Sequence, residues 1–374
     1  MERRAFMALG GAALAASSLG LPPASGASPK SAPRPGAGRK PLLMKLGCQS
    51  GPSNEEHFAF FARYGIHNVC AKPAVSEGRL YYTVDELNAL KAMGERHQLS
   101  IDMVEPVLLP SSHIDREKHP AIMMADSPER DRDIEAFQTL IRNCARAGIP
   151  AVKYNMSLLG VLRVGDVPGR GDTRYLSWDA TVPPKTPLTK AGPVNADAFW
   201  ERITYFLDRV VPVANEYKVR IACHPHDPGV PPQGYQGIDR VLGTIDGLKR
   251  FVGIRESAYH GLNFCQGTIS ENLVDPNTQI HDVIRWFGTR RKIFNVHFRN
   301  IRGHRDKFLE VYPDEGSVDM VRALQTYREV GYDGMIMPDH VPEVPGDGDG
   351  ARLASFAFCY GYIRGLLQSA ERLS

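Results

Sequence analysis

Four residues in the second half of the chain have the types and positions needed to hold a metal ion. His224 lies in VRIACHP (219–225), Cys265 in GLNFCQG (261–267), His297 in KIFNVHF (292–298) and Asp339 in GMIMPDH (334–340). Each follows apolar residues and precedes turn-forming sequence, the pattern of a buried strand reaching its carboxyl end. Two imidazoles, one thiolate and one carboxylate suit a borderline divalent cation such as Mn²⁺, Fe²⁺, Co²⁺ or Zn²⁺. Each residue also has an ordinary alternative. A strand-end histidine is commonly just hydrogen-bonded, Cys265 could be a small buried hydrophobe, and Asp339 could cap a turn. Their recurrence at four consecutive strand ends favours the metal.

Proton-moving and substrate-binding candidates lie close to these ligands. His226 is two residues past His224. If the strand persists through Pro225, alternation turns both imidazoles to one side and makes His226 a general base beside the ion. If Pro225 and Pro228 turn it outward, it only holds a loop. Tyr154, in VKYN, is a second acid/base candidate, its alternative being a packed strand aromatic. Lys153, Asn155, Arg299 and His340 can bind a carboxylate or hydroxyls, although Arg299 equally suits a structural ion pair.

The elements that position these residues form a repeating series. Strand candidates at 42–48, 67–73, 99–106 and 150–155 precede the four already named. Helical patterns separate them. TVDELNALKAMGERH starts on Thr83 with Glu86 three residues on, a capping box, and ERDRDIEAFQTLIRNCARAG puts Ile134, Phe137, Leu140, Ile141 and Cys144 on one face. Eight strand–helix units predict an α/β fold, a (β/α)8 TIM barrel, whose function sits at the carboxyl ends of the strands. No glycine-rich dinucleotide fingerprint follows the first strand, which argues against a doubly wound sheet. Residues 156–194 form a long insertion after the fourth strand, on the side of the barrel where it would cover a site.

The chain of 374 residues is 43% hydrophobic and 23% charged, with a formal net charge of +3 and no basic block, so nucleic acid is not an expected partner. Residues 1–27 read as an export signal: Arg3 and Arg4, then an Ala/Gly-rich run from Phe6 to Leu21, then small residues to Ala27. That run is too short and weakly apolar to predict a stable membrane anchor. Residues 28–40 read as a flexible leader and 41–374 as one barrel domain. The expected location is periplasmic, by the twin-arginine route. Six scattered cysteines without a CxxC pair read mostly as buried free thiols. A homo-oligomer is left open.

The chain from about residue 42 to about 370 resembles the mannonate dehydratase family, within the xylose-isomerase-like barrels. The likeness rests on ERDRDIEAFQTLIRNCARAGI, VKYN, CHPHDP, GLNFCQG, NVHFRN, GSVDM and MPDH. It implies that His224, Cys265, His297 and Asp339 hold Mn²⁺ or Fe²⁺, and that the enzyme dehydrates D-mannonate, or a related sugar acid, to a 2-keto-3-deoxy acid. The chain departs from the family pattern at several positions. Met337 stands where the family has Arg before PDH, no Pro-Gly-Tyr follows, and His226 replaces an Asp. LGVLRVG replaces a DWTRT-like segment, and Leu309 replaces a His. A metal-dependent sugar isomerase or epimerase, and a sugar-binding relative without turnover, are the competing expectations.

Overall fold

Eight short parallel strands close into a barrel because each is apolar enough to be covered on both faces. The computed structural model describes residues 40–50, 52–230, 234–347 and 352–372. The expected export signal and almost all of the leader lie outside the described residues. The barrel strands are β1 (Lys45–Ser50), β2 (Asn68–Ala71), β3 (Ser100–Val104) and β4 (Ala151–Asn155), then β7 (Arg220–His224), β8 (His260–Cys265), β9 (Ile293–His297) and β12 (Met335–Met337). They are hydrogen-bonded in that order and β12 closes on β1, Lys45 opposite Met335. All eight coincide with the strands read from the sequence.

Alternation along the strands sorts side chains between two environments. Ala151 and Ala222, with Cys70, Met103, Phe294, Met335 and Met337, form a small apolar cluster inside the barrel. Val152, Tyr154, Ile221 and Cys223 belong to the large core between strands and helices. The helices follow the sequence signals. Thr83 accepts a hydrogen bond from the Glu86 amide at 3.2 Å, and Glu86 accepts one from the Thr83 amide at 2.8 Å, completing the capping box. The helix Glu129–Ala147 buries Ile134, Phe137, Leu140, Ile141 and Cys144, and Gly148 ends it at φ 71°, a left-handed turn that favours glycine. All six cysteines are buried and unpaired. Among the described residues, no helix is long and apolar enough to cross a membrane.

The insertion after β4 is not an independent flap. It contributes β5 (Gly165–Pro168) and β6 (Arg174–Asp179), and β6 pairs with an excursion after β9 formed by β10 (Asn300–His304) and β11 (Lys307–Val311). The result is an antiparallel sheet in the order β10-β11-β6-β5. The strand character of 300–311 is absent from the sequence reading, which noted that stretch only for Leu309. The pairing of Phe308 with Trp178, 130 residues earlier, makes these segments strands.

Candidate metal centre and substrate cavity

The four strand-end residues converge. One ligand atom from each of His224, Cys265, His297 and Asp339 lies within 4.8 Å of the others, and all four residues are buried. A single ion with bonds of about 2.0–2.3 Å can reach such a set with small side-chain adjustments. The surroundings prepare each donor. His224 Nδ1–H donates to the Pro225 carbonyl at 2.7 Å, leaving Nε2 as the lone-pair donor. Burial pushes the His224 imidazole down to about 4, so it is neutral and able to ligate. His297 Nε2 lies 3.2 Å from the Asn263 amide, itself held by Asn295 at 2.7 Å, and Nδ1 faces Asp339 Oδ2 at 3.1 Å. That buried Nδ1 has no well-formed hydrogen bond, as expected of an atom meant for an ion. The Cys265 sulfur accepts from the Thr268 amide at 3.4 Å and hydroxyl at 3.1 Å, contacts that orient it. Burial favours a neutral Asp339, but His297, His340 and Arg299 hold its carboxyl well below the usual range. The donor set and its supports therefore fit a divalent cation.

Behind Asp339 lies a buried charged cluster. Arg299 donates to Glu271 at 2.8 Å, Asp227 at 2.7 Å and Thr268 at 2.9 Å, and its Nε is 3.4 Å from Asp339 Oδ2. Gly267 allows this, since a Cβ there would meet Arg299 Cγ at 2.4 Å. Arg163, from the insertion, pairs with Asp227 at 2.7 Å and also with Glu310 of β11. His340 Nδ1 joins Glu310 at 2.6 Å. Burial pulls the His340 imidazole down, but Glu310 and Asp339 outweigh it and push it up to about 9. Glu310 is favoured neutral by burial, yet Arg163, His340 and Arg299 bring it down to about 2. Asp227, Glu310 and His340 also lie close enough to one another to suggest a second cation site. Two guanidiniums already occupy that space, so their charge opposes one.

His224, His297, Asp339 and His340 open into a cavity of ≈ 380 Å³, and Cys265 lies behind its wall. Its other walls include Gln49, Lys72, Glu105, Lys153, Asn155, Ser111 and Val161. Lys153 donates to Gln49 at 2.6 Å and Glu105 at 2.8 Å, and Gln49 donates to Asp339 at 2.8 Å. Thus a polar chain runs from the metal ligand to the first four strands.

The structure separates the remaining sequence candidates. Lys153, Asn155 and His340 line the cavity with His224, His297 and Asp339. Arg299 does not; it is 3% exposed and lies among carboxylates, the ion-pair alternative. Tyr154 is not in the site, because alternation on β4 turns it into the core, its ring 5.5 Å from both Phe137 and Phe206. Burial pushes its hydroxyl well above the ordinary phenol range. His226 also faces away from the ligands. Its Nε2–H donates to the Met156 carbonyl at 2.7 Å, and Nδ1 accepts from the Leu242 amide at 3.3 Å. β7 ends at His224, so the alternation that would have carried His226 to the ion stops one residue too soon. Met337 lies in the apolar cluster inside the barrel rather than on the cavity wall.

Sequence reading missed Gln49, Lys72, Glu105, Arg163, Asp227, Glu271 and Glu310. A signal existed for Gln49, Lys72 and Glu105, which stand at or just past the ends of β1, β2 and β3. Arg163 and Glu310 had none, because only the small sheet brings them to the barrel.

Comparison with known proteins agrees with this geometry. A model of the family described as D-mannonate dehydratase (UxuA) matches residues 179–374. The mannonate dehydratase of Thermotoga petrophila is 27% identical over 330 residues, covering 78% of this chain and 87% of that one. The crystal structure of mannonate dehydratase from Streptococcus suis serotype 2 superposes with a TM-score of 0.73 at 25% identity, covering 88% of this chain and 95% of the other. A xylose isomerase domain protein from Planctomyces limnophilus, at 12% identity and a TM-score of 0.55, covers 88% of this chain and 98% of its own and shares the fold.

Proposed function

The chain belongs to the D-mannonate dehydratase (UxuA) family, and on that premise we propose that it is a divalent-metal-dependent carbon–oxygen hydro-lyase, removing water from D-mannonate or a closely related sugar acid to leave a 2-keto-3-deoxy acid. The observation that carries this reading is the convergence of His224, Cys265, His297 and Asp339, of which all but Cys265 line one polar cavity. Mn²⁺ or Fe²⁺ is the proposed ion. When bound, it supplies Lewis-acid stabilisation of the negative charge that grows as the proton alpha to the carboxylate leaves.

The chain's own residues do the rest. His340 is oriented through Nδ1 by Glu310 and presents its other edge to the cavity. Its protonated form can give the Nε2 proton to the departing hydroxyl. No tyrosine lines the cavity among the described residues, and Tyr154 and His226 do not reach it. Glu105, on the same cavity wall and held ionised by Lys153 against the effect of burial, is the acceptor for the alpha proton. The buried Arg163–Asp227–Arg299–Glu310 network holds the small sheet against the barrel end and keeps His340 and Asp339 in place.

Purified protein loaded with Mn²⁺ and given D-mannonate should yield a product lighter by one water in the mass spectrum. A product of unchanged mass would move the reading to an isomerase or epimerase. No turnover on any aldonate, with ligand-induced stabilisation, would make the protein a sugar binder. We also propose export by the twin-arginine route, on the strength of Arg3, Arg4 and the mildly apolar run behind them. Replacing Arg3 and Arg4 together by Lys should trap precursor in the cytoplasm, and unchanged export would exclude that route.

A further inference from the structure

The barrel is divided by function around its circumference. Consecutive strands β7, β8, β9 and β12 carry the four metal ligands, whereas β1, β2, β3 and β4 carry or lead into Gln49, Lys72, Glu105 and Lys153. His224, His297 and Asp339 of the first set and all four residues of the second line one cavity.

Charge and hydrogen bonding on the second half are unfinished. Lys153 is 7% exposed, and its ammonium has three protons. Gln49 takes one at 2.6 Å and Glu105 another at 2.8 Å, so one remains. Lys72 has only a loose ion pair, 4.0 Å from the other oxygen of Glu105, and its side chain is 50% exposed. Its ammonium makes no hydrogen bond to another described residue. Lys153 is held closely by Glu105, whereas Lys72 is the less tightly partnered ammonium on this wall. A buried lysine with a spare proton, beside a second lysine on the same cavity wall, presents donors and charge for one anionic group.

We propose that Lys72 and Lys153, held by Glu105 and Gln49, form a carboxylate-binding subsite that makes the cavity select a sugar acid over a neutral sugar or polyol. The inference rests on the reading of this cavity as the sugar-acid site, and it assigns the anion-recognising role to the β1–β4 half. Met337 needs no cationic replacement at its own position, because the charge comes from across the barrel. Glu105 keeps the two ammonium groups together, and Gln49 links Lys153 to the metal ligand Asp339.

The test compares D-mannonate with D-mannitol, a neutral polyol of the same chain length, by calorimetric titration of the Mn²⁺-loaded protein. Wild type should bind the acid more tightly than the polyol. Lys72→Gln should weaken the acid by roughly tenfold to a hundredfold, the weight of a charge-assisted hydrogen bond, and leave the polyol unchanged. Lys72→Arg should recover most of the loss. Lys72 is half-exposed, so these variants should fold, and Lys153→Met provides a second measurement on the buried partner. Equal binding of acid and polyol by wild type, or unaltered acid binding by Lys72→Gln, would overturn the subsite. Mass analysis of wild-type turnover is independent of that outcome. Lys72-dependent acid binding without loss of water would sink the hydro-lyase reading and keep the subsite. Dehydration with a KM indifferent to Lys72→Gln would do the reverse.

Discussion

Replacing His226 by Ala should harm stability and spare chemistry. The ring joins two loops, the one after β4 through the Met156 carbonyl at 2.7 Å and the one before the helix Ile245–Gly253 through the Leu242 amide at 3.3 Å. It is 1% exposed, with its centroid 5.1 Å from that of Phe199. Truncation leaves two buried backbone groups without partners, at about 1–3 kcal/mol each. It also opens a cavity, for which a large-to-small change costs about 2–5 kcal/mol. The space is polar at both ends, so an entering water recovers part of this. A net loss of about 3–5 kcal/mol follows, or roughly 4–7 °C in the melting temperature of a chain this size. His226→Gln, whose amide can both donate and accept, should lose about half as much. Thermal melts at a fixed scan rate would be paired with metal analysis and with rates measured well below the transition. Metal content should be full, and kcat should stay within a few-fold of wild type with the same pH profile. A melting temperature equal to wild type, together with a fall of about 10²-fold or more in kcat and loss of the acidic limb, would refute the structural role and restore His226 as a base.

Three further outcomes follow from the same coordinates. His297→Ala and Asp339→Ala should each lose most of the divalent metal by elemental analysis, and Cys265 should react with a thiol reagent only after chelation, because a bound thiolate is protected. Tyr154→Phe should change turnover by no more than a few-fold and leave the melting temperature at or above wild type, since its hydroxyl is buried in the core beside Cys223; a hundredfold loss would put the phenol back in the mechanism. His260 is buried with Nε2–H donated to the Phe251 carbonyl at 2.9 Å, and burial pushes it down to about 4. The unfolded chain, with His near 6.5, therefore binds more protons between about pH 4 and 6.5, so stability falls as pH drops through that window, by up to about 3 kcal/mol from this residue. In chelated protein, urea midpoints of His260→Gln should decline less steeply with acid than those of wild type, and parallel curves would contradict the assignment.

Local pattern alone determined the barrel. Each barrel strand is a short run of three to six residues bounded by turn chemistry, and each helix has a 3.6-residue stripe, so eight units could be counted without tertiary information. The same locality picked out the candidate metal ligands, because a barrel brings all its strand ends to one mouth. His224, Cys265 and His297 are the last residues of their strands, and Asp339 stands two residues past the end of β12. Lys153 and Tyr154 show where such reasoning stops. They are neighbours on β4, and a shift of one residue decides which faces the cavity and which meets Phe137 and Phe206. His226 failed for a related reason: whether β7 runs past Pro225 depends on what its flanking residues meet, and those partners are Met156 and Leu242. The cluster built by Arg163, Asp227, Glu271, Arg299 and Glu310 lies beyond any local signal, although Arg299 by itself was legible as an ion-pair residue. The cluster's residues come from five segments across nearly 150 residues, and buried charges of both signs are tolerated only where partners from distant segments surround them. Composition and spacing cannot distinguish a charge destined for that cluster from one that stays in water; the pairing of the insertion with the β10–β11 excursion decides it.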